Sequence, residues 1–258
     1  MSDDTPESGF AGERIAKFLA RAGIASRREA ERLIEQGIVT VDGRTLTSPA
    51  FNVTPEMDVR VDGTRVGRKE ATRLWRYHKP AGLVTTHRDP QGRRTVFDAV
   101  ADRLPRVVSV GRLDLATEGL LLLTNDGGLA RTLELPATGW VRRYRVRAFG
   151  SVREADLAKL ADGVEIDGVA YRPIRASIDP RPDDRSVENV WLTVAIAEGK
   201  NREVRKVMSH LGLKVNRLIR TAFGPFQLGK LARGALEEVP AKQLKEQLGP
   251  KTSAELGL

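Results

Sequence analysis

The sequence predicts an α+β fold in which a small helix–helix–hairpin module precedes a larger, mainly antiparallel β-sheet domain with few helices. Three observations lead to this prediction. Two short amphipathic helical patterns and an alternating strand pair fall within residues 13–66. A polar, charged segment at 67–73 then interrupts the apolar pattern. In residues 74–248, strand-like runs outnumber helical ones. We therefore expect two folded domains joined by a linker, with flexible tails at 1–12 and 249–258.

The small module begins with a helix whose apolar residues share one face. These residues are Ile15, Phe18, Leu19 and Ala22. Gly23 ends this helix, and Ser26 and Glu29 form a capping-box pattern that opens a second one. The second helix ends at Gly37, and a valine-rich strand pair follows with a turn at Asp42-Gly43.

The larger domain is predicted from strand patterns separated by turn residues. Strands are expected at Leu74–His78, Val107–Val110, Leu120–Thr124, Val141–Phe149, Ile174–Ile178, Val190–Ala197 and Val215–Thr221. Helices are expected at Gly128–Leu135, Val152–Leu160, Arg202–Leu211 and Ala241–Leu248. Ser151 and Glu154 form a capping-box pattern before the second of these helices, and Asn201 is expected to cap the third.

Composition favours a polyanionic partner and excludes several kinds of site. Lys and Arg number 43 against 34 Asp and Glu, a net charge of +9, and neutralising phosphates releases counterions. A basic protein with no such partner is the alternative. The absence of Cys excludes disulfides and a Cys nucleophile, and the three His have no metal-ligand spacing, so we expect no metal site. The longest apolar run, Leu120–Leu123, is too short for a bilayer, and the polar N-terminus is unlike a secretory signal, so we expect a cytoplasmic protein without membrane contact.

The turn into the second helix of the small module carries the candidate phosphate ligands Ser26, Arg27 and Arg28, with Arg32 one turn further on. A helix N-terminus offers free backbone N–H groups, and adjacent guanidinium groups add directed donors. The span from Ile15 to Gly43 resembles the RNA-binding domain named after ribosomal protein S4. The resemblance implies RNA contact by these residues. A helical hairpin with solvated charges is the alternative, because three glutamates lie among the arginines.

The most distinctive segment is Gly111-Arg112-Leu113-Asp114, which follows one apolar strand and precedes another. A fully apolar strand is buried on both faces, so the loop before it is expected to be held rigidly. Asp114 lies between two leucines, where a carboxylate needs a cation or several N–H donors to remain charged. A cap or turn former is the alternative reading of a single loop aspartate.

Two later segments add basic and aromatic candidates. Trp140–Arg147 alternates as a strand and directs Tyr144 inward, either to pack on a ligand or to fill the core. The span Lys200–Arg220 is the densest basic stretch of the chain. Within it, Arg202 and Arg205 share a helical face, so one can bind phosphate while the other pairs with a buried carboxylate. A solvated basic face is the alternative for this stretch.

These segments, together with Tyr77–Thr86, resemble the pseudouridine synthases of the RsuA/RluB type from Ile15 to about Glu238. Within that family the branch acting on large-subunit ribosomal RNA looks nearer, on the segments His87–Asp98 and Thr138–Val146. The implied reaction detaches uracil from its ribose at N1 and rejoins it through C5, so it needs no cofactor. The implied partner is 23S ribosomal RNA or a large-subunit assembly intermediate, and we expect a monomer.

The resemblance also assigns roles to residues. Asp114 is the implied catalytic carboxylate, either as a nucleophile at the sugar or base or as the base that removes a ribose proton. Arg205 is implied to pair with it, and Tyr144 to pack against the target base and to take part in proton transfer. Substrate binding is assigned to Arg112, which fills the gap left by the displaced uridine, to Leu218 in the wall of the uracil pocket, and to Lys200 and Arg202.

Three other functions are compatible with parts of this pattern. A small-subunit (16S) rRNA enzyme would share the chemistry. A non-catalytic ribosome-assembly factor would bind rRNA through the small module alone. A DNA-binding regulator would explain the charge, but the strand-rich domain offers no helix-turn-helix pair.

Overall fold

The structure is a computed structural model that describes residues 12–67, 70–135, 138–180, 188–256 and 258. The described residues form two compact units, which divide between Ala71 and Thr72. Most of the predicted N-terminal tail, residues 1–11, and residues 68–69 of the predicted linker lie outside the described residues. In the described ranges, no helix is long and apolar enough to cross a membrane.

The first unit contains two helices and four strand pairings around one small core. Its elements are β1 (Glu13–Arg14), α1 (Ile15–Arg21), α2 (Arg27–Glu35), β2 (Val39–Val41), β3 (Arg44–Thr45), β4 (Asn52–Val53), β5 (Val59–Val61) and β6 (Thr64–Arg65). Strands β3-β2-β5-β6 form an antiparallel sheet, and β1 pairs with β4. The side chains of Ile15, Leu19, Ala30, Ile34 and Val39 are fully buried between helices and sheet. The predicted helix–helix–hairpin order is confirmed.

The second unit is built on a nine-stranded sheet. The strands of this unit, nine of which form the sheet, are β7 (Leu74–Lys79), β8 (Val108–Val110), β9 (Thr117–Thr124), β10 (Arg142–Phe149), β11 (Val164–Ile166), β12 (Val169–Tyr171), β13 (Ile174–Ile178), β14 (Asn189–Ile196), β15 (Lys214–Phe223), β16 (Phe226–Gln227) and β17 (Leu236–Glu238). The central order is β13-β14-β10-β15-β9-β7-β17, with β8 paired to β9 and β16 to β15, while β11 and β12 form a separate hairpin. Strands β9 and β15 run parallel and the other described pairs are antiparallel. This confirms the predicted mainly antiparallel α+β fold.

Helices cover both faces of this sheet. They are α3 (Val96–Val100), α4 (Gly127–Glu134), α5 (Glu154–Ala158), α6 (Glu203–His210) and α7 (Ala241–Leu256), with a 3-10 turn at Lys159–Asp162. Side chains of β9 alternate between two cores. Leu121 and Leu123 pack with residues of α3, α5 and α6, whereas Leu120 and Leu122 pack with residues of α4 and α7. All eight residues of β9 are buried. The prediction that this apolar strand is buried on both faces is therefore confirmed.

Two local predictions are wrong. The capping box at Ser151 and Glu154 does not form, because α5 begins only at Glu154 and its carboxylate accepts a hydrogen bond from the Ile178 N–H of β13. The expected flexible tail 249–258 is instead helical to Leu256, after a break at Gly249 (φ 77°). Leu256 packs into the core around α4, and this tertiary contact orders a segment whose own sequence has little helical periodicity.

Candidate active site

The loop between β8 and β9 carries Asp114 and is fixed by a buried lysine. Lys79, at the end of β7, is fully buried, and its Nζ donates to the carbonyls of Thr117 (2.9 Å), Pro80 (3.1 Å) and Asp114 (3.2 Å). A longer contact of 3.4 Å reaches the Leu115 carbonyl. Burial lowers the pKa of Lys79 to about 8, while the carboxylate charge of Asp114 opposes this shift. No pattern in the sequence indicates this role, because a lysine at the end of a strand is ordinarily solvated.

A threonine holds the same loop from the other side. The Thr85 hydroxyl donates to the Leu113 carbonyl at 2.9 Å and accepts from the Leu113 N–H at 3.3 Å. The Gly82 N–H donates to the Leu115 carbonyl at 2.8 Å, and the Thr117 N–H to the Asp114 carbonyl at 3.0 Å. With the backbone of the loop bonded on both sides, the position of the Asp114 side chain is set in advance of any ligand.

The carboxylate of Asp114 pairs with Arg202. Its Oδ2 lies 3.9 Å from Nη1 of Arg202, and the side chain of Asp114 is one-third exposed. Arg202 immediately precedes α6 and has a left-handed backbone (φ 53°, ψ 29°). The helix therefore begins at Glu203, one residue later than predicted, and Arg202 rather than Asn201 takes the cap position.

Arg205 has different partners from those expected. Its guanidinium group donates to the carbonyls of Ala116 (3.0 Å) and Val215 (3.3 Å), which joins the end of the loop to β15. Burial lowers the pKa of Arg205, with a further lowering by Arg202 and an opposing effect of Asp114. Because α6 starts after Arg202, Arg205 lies in its first turn behind the loop, and the expected ion pair between Arg205 and Asp114 is not formed in the structure.

Asp114 lines a cleft of about 680 Å³. Six of the seven residues predicted for catalysis or substrate binding line it: Arg112, Asp114, Tyr144, Lys200, Arg202 and Leu218. Arg205 is not part of the lining. The four candidate RNA ligands of the small module, Ser26, Arg27, Arg28 and Arg32, belong to the first unit. There the Ser26 hydroxyl accepts from the Glu29 N–H at 3.2 Å, and the three arginines are exposed.

The inner wall of the cleft consists of Tyr144 on β10 and Leu218 on β15. They are 8% and 4% exposed, respectively, as expected for inward-facing residues. Leu218 lies opposite Val146 across the β10–β15 pair. Lys200, also in the lining of the cleft, pairs with the Glu198 carboxylate (3.2 Å) and donates to the Ala170 carbonyl. Its ammonium group is therefore less available to a ligand than its charge alone suggests.

Two further ionisable residues in the cleft wall were not found from the sequence. Glu203 is 2% exposed; its Oε2 accepts from the Lys200 N–H at 2.8 Å, while Oε1 is buried without a hydrogen-bond partner. Burial raises the pKa of Glu203 to about 7. Arg220 is 3% exposed on β15, beside Tyr144. Both residues occur within the dense basic stretch, but their burial depends on packing that the sequence pattern does not reveal.

Comparison with known protein families gives two matches along the chain. Residues 13–59 match the S4 domain, and residues 73–210 match the family described as RNA pseudouridylate synthase. The first match lies in the first unit, and the second contains the Asp114 loop, Tyr144 and the whole of α6.

Relatives of similar length share much of the sequence. A protein of Rickettsia felis named "Uncharacterized RNA pseudouridine synthase" is 47% identical over 91% of this chain and 100% of its own length. A Salmonella typhimurium protein named "Ribosomal large subunit pseudouridine synthase B" is 40% identical over 95% of this chain and 87% of its own. A crystal structure described as a pseudouridylate synthase superposes with a TM-score of 0.63 at 25% identity, covering 92% of this chain and all of that one.

Proposed function

Since the chain belongs to the RNA pseudouridylate synthase family and is thus an isomerase that converts uridine in RNA to pseudouridine, we propose that its target lies in large-subunit ribosomal RNA. The 40% identical Salmonella typhimurium relative, which is named for the large subunit and matches 95% of this chain, supports this target. The net charge of +9 is consistent with a large polyanionic substrate.

The catalytic carboxylate in this proposal is Asp114. The observation that carries the assignment is its place in the cleft: a rigid loop bonded by Lys79 and Thr85 presents one partly exposed carboxylate to a cavity of about 680 Å³. Two routes are open to it. Asp114 acts as a nucleophile at the sugar or the base, or it removes a ribose proton. Both routes need an ionised carboxylate, and the positive Arg202 guanidinium lies 3.9 Å from it.

The remaining cleft residues hold the target nucleotide. Tyr144 and Leu218 supply an aromatic and an aliphatic surface of a size to flank a uracil ring. Reaching that wall requires the uridine to leave its stack, which costs a few kcal/mol. Arg112 is exposed on the loop two residues before Asp114, where its long side chain can fill the vacated space. Arg205 then acts as a positioning residue through the Ala116 carbonyl.

The small unit is proposed to anchor the ribosomal RNA. Arg27 and Arg28 lie at the N-terminus of α2, where Ser26 caps the helix, and Arg32 lies one turn on. None of the three arginines forms an ion pair with a described carboxylate in its own unit. Contacts of this kind fix affinity and register rather than the choice of base.

The test is pseudouridine mapping of ribosomal RNA from cells with and without this protein, complemented by wild type or by Asp114→Asn. We expect one site in the large-subunit rRNA to be lost, and to be restored by wild type but not by the variant. Loss of a small-subunit site would overturn the target. Restoration by Asp114→Asn would overturn the assignment of the carboxylate, provided that both proteins accumulate equally.

A further inference from the structure

Arg220 is a buried arginine in the wall of the cleft. Its Nε donates a hydrogen bond to the Leu120 carbonyl at 2.8 Å, and its guanidinium carbon lies 5.2 Å from the centroid of the Phe223 ring. Nη2 is buried and has no hydrogen-bond partner. A guanidinium group carries five N–H donors in a fixed fork, so an unused buried donor is costly.

No described carboxylate neutralises the charge of Arg220. Among the described residues no carboxylate forms an ion pair with it, because Asp114 pairs with Arg202 and Glu118 pairs with Arg217 and Arg233. Burial lowers the pKa of Arg220, with a further lowering by Arg142, while the electrostatic interaction and the hydrogen bond with the Tyr144 side chain oppose this shift. Arginine nevertheless stays protonated in proteins, and an isolated buried charge costs several kcal/mol. A ligand that brings negative charge into the cleft would remove this cost.

The surrounding strands fix where this charge lies. Arg220 is opposite Tyr144 in the β10–β15 register and beside Gly119 in the parallel β9–β15 register. A Cβ atom on Gly119 (φ 106°) would lie 2.3 Å from the Arg220 carbonyl oxygen, so the two backbones approach closely only because that residue is glycine. Arg142 lies on the same Phe223 ring at 4.8 Å and adds a second positive charge.

We propose that Arg220 stabilises the negative charge that develops on the uracil base during the reaction. The proposal depends on the proposed site, in which Asp114 acts on a uridine bound in this cleft. When the N1–C1′ bond breaks, its electron pair stays with uracil, which leaves as an anion with charge on N1, O2 and O4. The electron deficiency left at C1′ of the ribose is removed by Asp114. Its carboxylate either forms a bond to C1′ or accepts the C2′ proton.

In the second half of the reaction the negative charge on the uracil base is neutralised. The base turns, the C5–C1′ bond forms, C5 loses its proton and N1 gains one, while Asp114 is released or returns the C2′ proton. No atom is gained or lost overall. If Asp114 instead adds to the base, negative charge develops on the same ring. Fixed donors in a water-poor wall stabilise such charge more than water does, because they need not reorient during the reaction.

A backbone phosphate is the other anion that Arg220 could meet. The wall that contains Arg220 also contains Tyr144 and Leu218, which are the surfaces proposed to flank the base. The guanidinium groups of Arg112 and Arg202 are more exposed than that of Arg220 and are better placed for phosphates that remain outside. These positions favour the base as the partner of Arg220.

The test measures single-turnover conversion by Arg220→Met and Arg220→Lys on RNA containing uridine or 5-fluorouridine at the target position. Loss of the N1-linked nucleoside is followed by digestion and chromatography. Removing a donor to a developing anion costs about 10²- to 10³-fold in rate, so we expect a loss of that size for Arg220→Met on uridine, with RNA affinity within about twofold. On 5-fluorouridine we expect a smaller loss, since fluorine stabilises the uracil anion and lessens the need for Arg220.

The controls separate this role from a structural one. Arg175→Lys, on the exposed edge strand β13, is expected to behave as wild type on both substrates. Equal losses on uridine and 5-fluorouridine would overturn the proposal, as would a loss confined to RNA affinity, which would indicate a phosphate contact. If Arg220→Met does not fold, as judged by its melting temperature, the comparison rests on Arg220→Lys, which keeps the charge but loses the fork. An active Asp114→Asn would instead point to failure of the proposed site.

Discussion

The carboxylate of Asp114 lies 3.9 Å from Nη1 of Arg202, although the family resemblance implies pairing with Arg205, three residues further along the chain. The two arginines have separate tasks in the structure. Arg202 is about half exposed and faces the carboxylate, whereas Arg205 bonds two backbone carbonyls behind the loop. Arg202 is placed to interact with the charge of Asp114, whereas Arg205 helps to hold the loop that positions Asp114.

This division predicts different effects for Arg202→Gln and Arg205→Gln. We expect Arg202→Gln to reduce single-turnover activity with little change in stability, since its side chain is solvated. Arg205→Gln is expected to lower the free energy of unfolding by about 2 kcal/mol or more, because hydrogen bonds from a charged donor contribute about 1.5–3 kcal/mol each. Urea unfolding and single-turnover kinetics on the same preparations measure both quantities. Equal stability losses in the two variants would contradict this division.

The sequence predicted the Asp114 loop, the buried strand β9 and the inward Tyr144, because each follows from alternation or from a continuous apolar run. It could not separate Arg202 from Arg205, since the left-handed backbone of one residue decides which of them faces the carboxylate. The surroundings of Lys79 and Arg220 depend on carbonyl groups of β9, which are 38 and 100 residues away in the sequence, respectively. Such roles leave no local pattern in the sequence.

Lys79 is expected to be a main support of the loop. Lys79→Met removes the donor from at least three carbonyls, and a buried group left unpaired costs about 1–3 kcal/mol. We therefore expect a loss of about 3 kcal/mol or more at pH 7, together with loss of activity. The pH dependence is a sharper test. The pKa of Lys79 is lowered to about 8 in the folded chain, against an ordinary value of 10.5.

Between those two values the unfolded chain holds a proton on Lys79 that the folded chain has released. The wild type must therefore gain stability relative to Lys79→Met as pH rises from about 8 to 10.5, with no such gain below pH 8. Urea titrations of both proteins at closely spaced pH values measure this difference. A difference that stays constant across the range would show that the ammonium group is as solvated as in the unfolded chain.

Glu203 is expected to give the opposite trend at lower pH. Burial raises the pKa of Glu203 from its ordinary value of 4.5 to about 7, so between these values the folded chain holds a proton that the unfolded chain lacks. The contribution of protonated Glu203 to the free energy of unfolding is fully present below about pH 4.5 and is lost as pH rises through 7. Glu203→Gln keeps an oxygen for the Lys200 N–H and has no proton to lose. The free energy of unfolding of Glu203→Gln, compared with that of wild type, should therefore rise by up to about 3 kcal/mol between pH 4.5 and a pH above 7.

Thermal and urea unfolding of wild type and Glu203→Gln from pH 4.5 to 8.5 test this directly. Glu246→Gln is a matched control, since Glu246 is exposed on α7 and loses the same charge. We expect that control to follow the wild-type curve. Parallel curves for Glu203→Gln and wild type would mean that water reaches the carboxylate in solution.

Arg27 and Arg28 are expected to bind RNA phosphates at the N-terminus of α2. The double variant Arg27→Gln/Arg28→Gln, made in the Asp114→Asn background so that no turnover occurs, should bind its target RNA more weakly and with a shallower salt dependence. Each phosphate contact on a single strand contributes about 0.7 to the slope of log affinity against log salt, so losing two contacts should reduce the slope by about 1.4. Filter binding from low to physiological salt measures it.

A change of net charge alone would also weaken binding, and Lys242→Gln/Lys245→Gln controls for this. Both lysines are exposed on α7 in the other unit, and the variant loses the same two charges. If binding depends on where the charge lies, this control retains most of the wild-type slope while Arg27→Gln/Arg28→Gln does not. Identical slopes for the two double variants would instead show that the small unit contributes only through the net charge of the protein. Such a result would contradict the proposed anchoring role of α2.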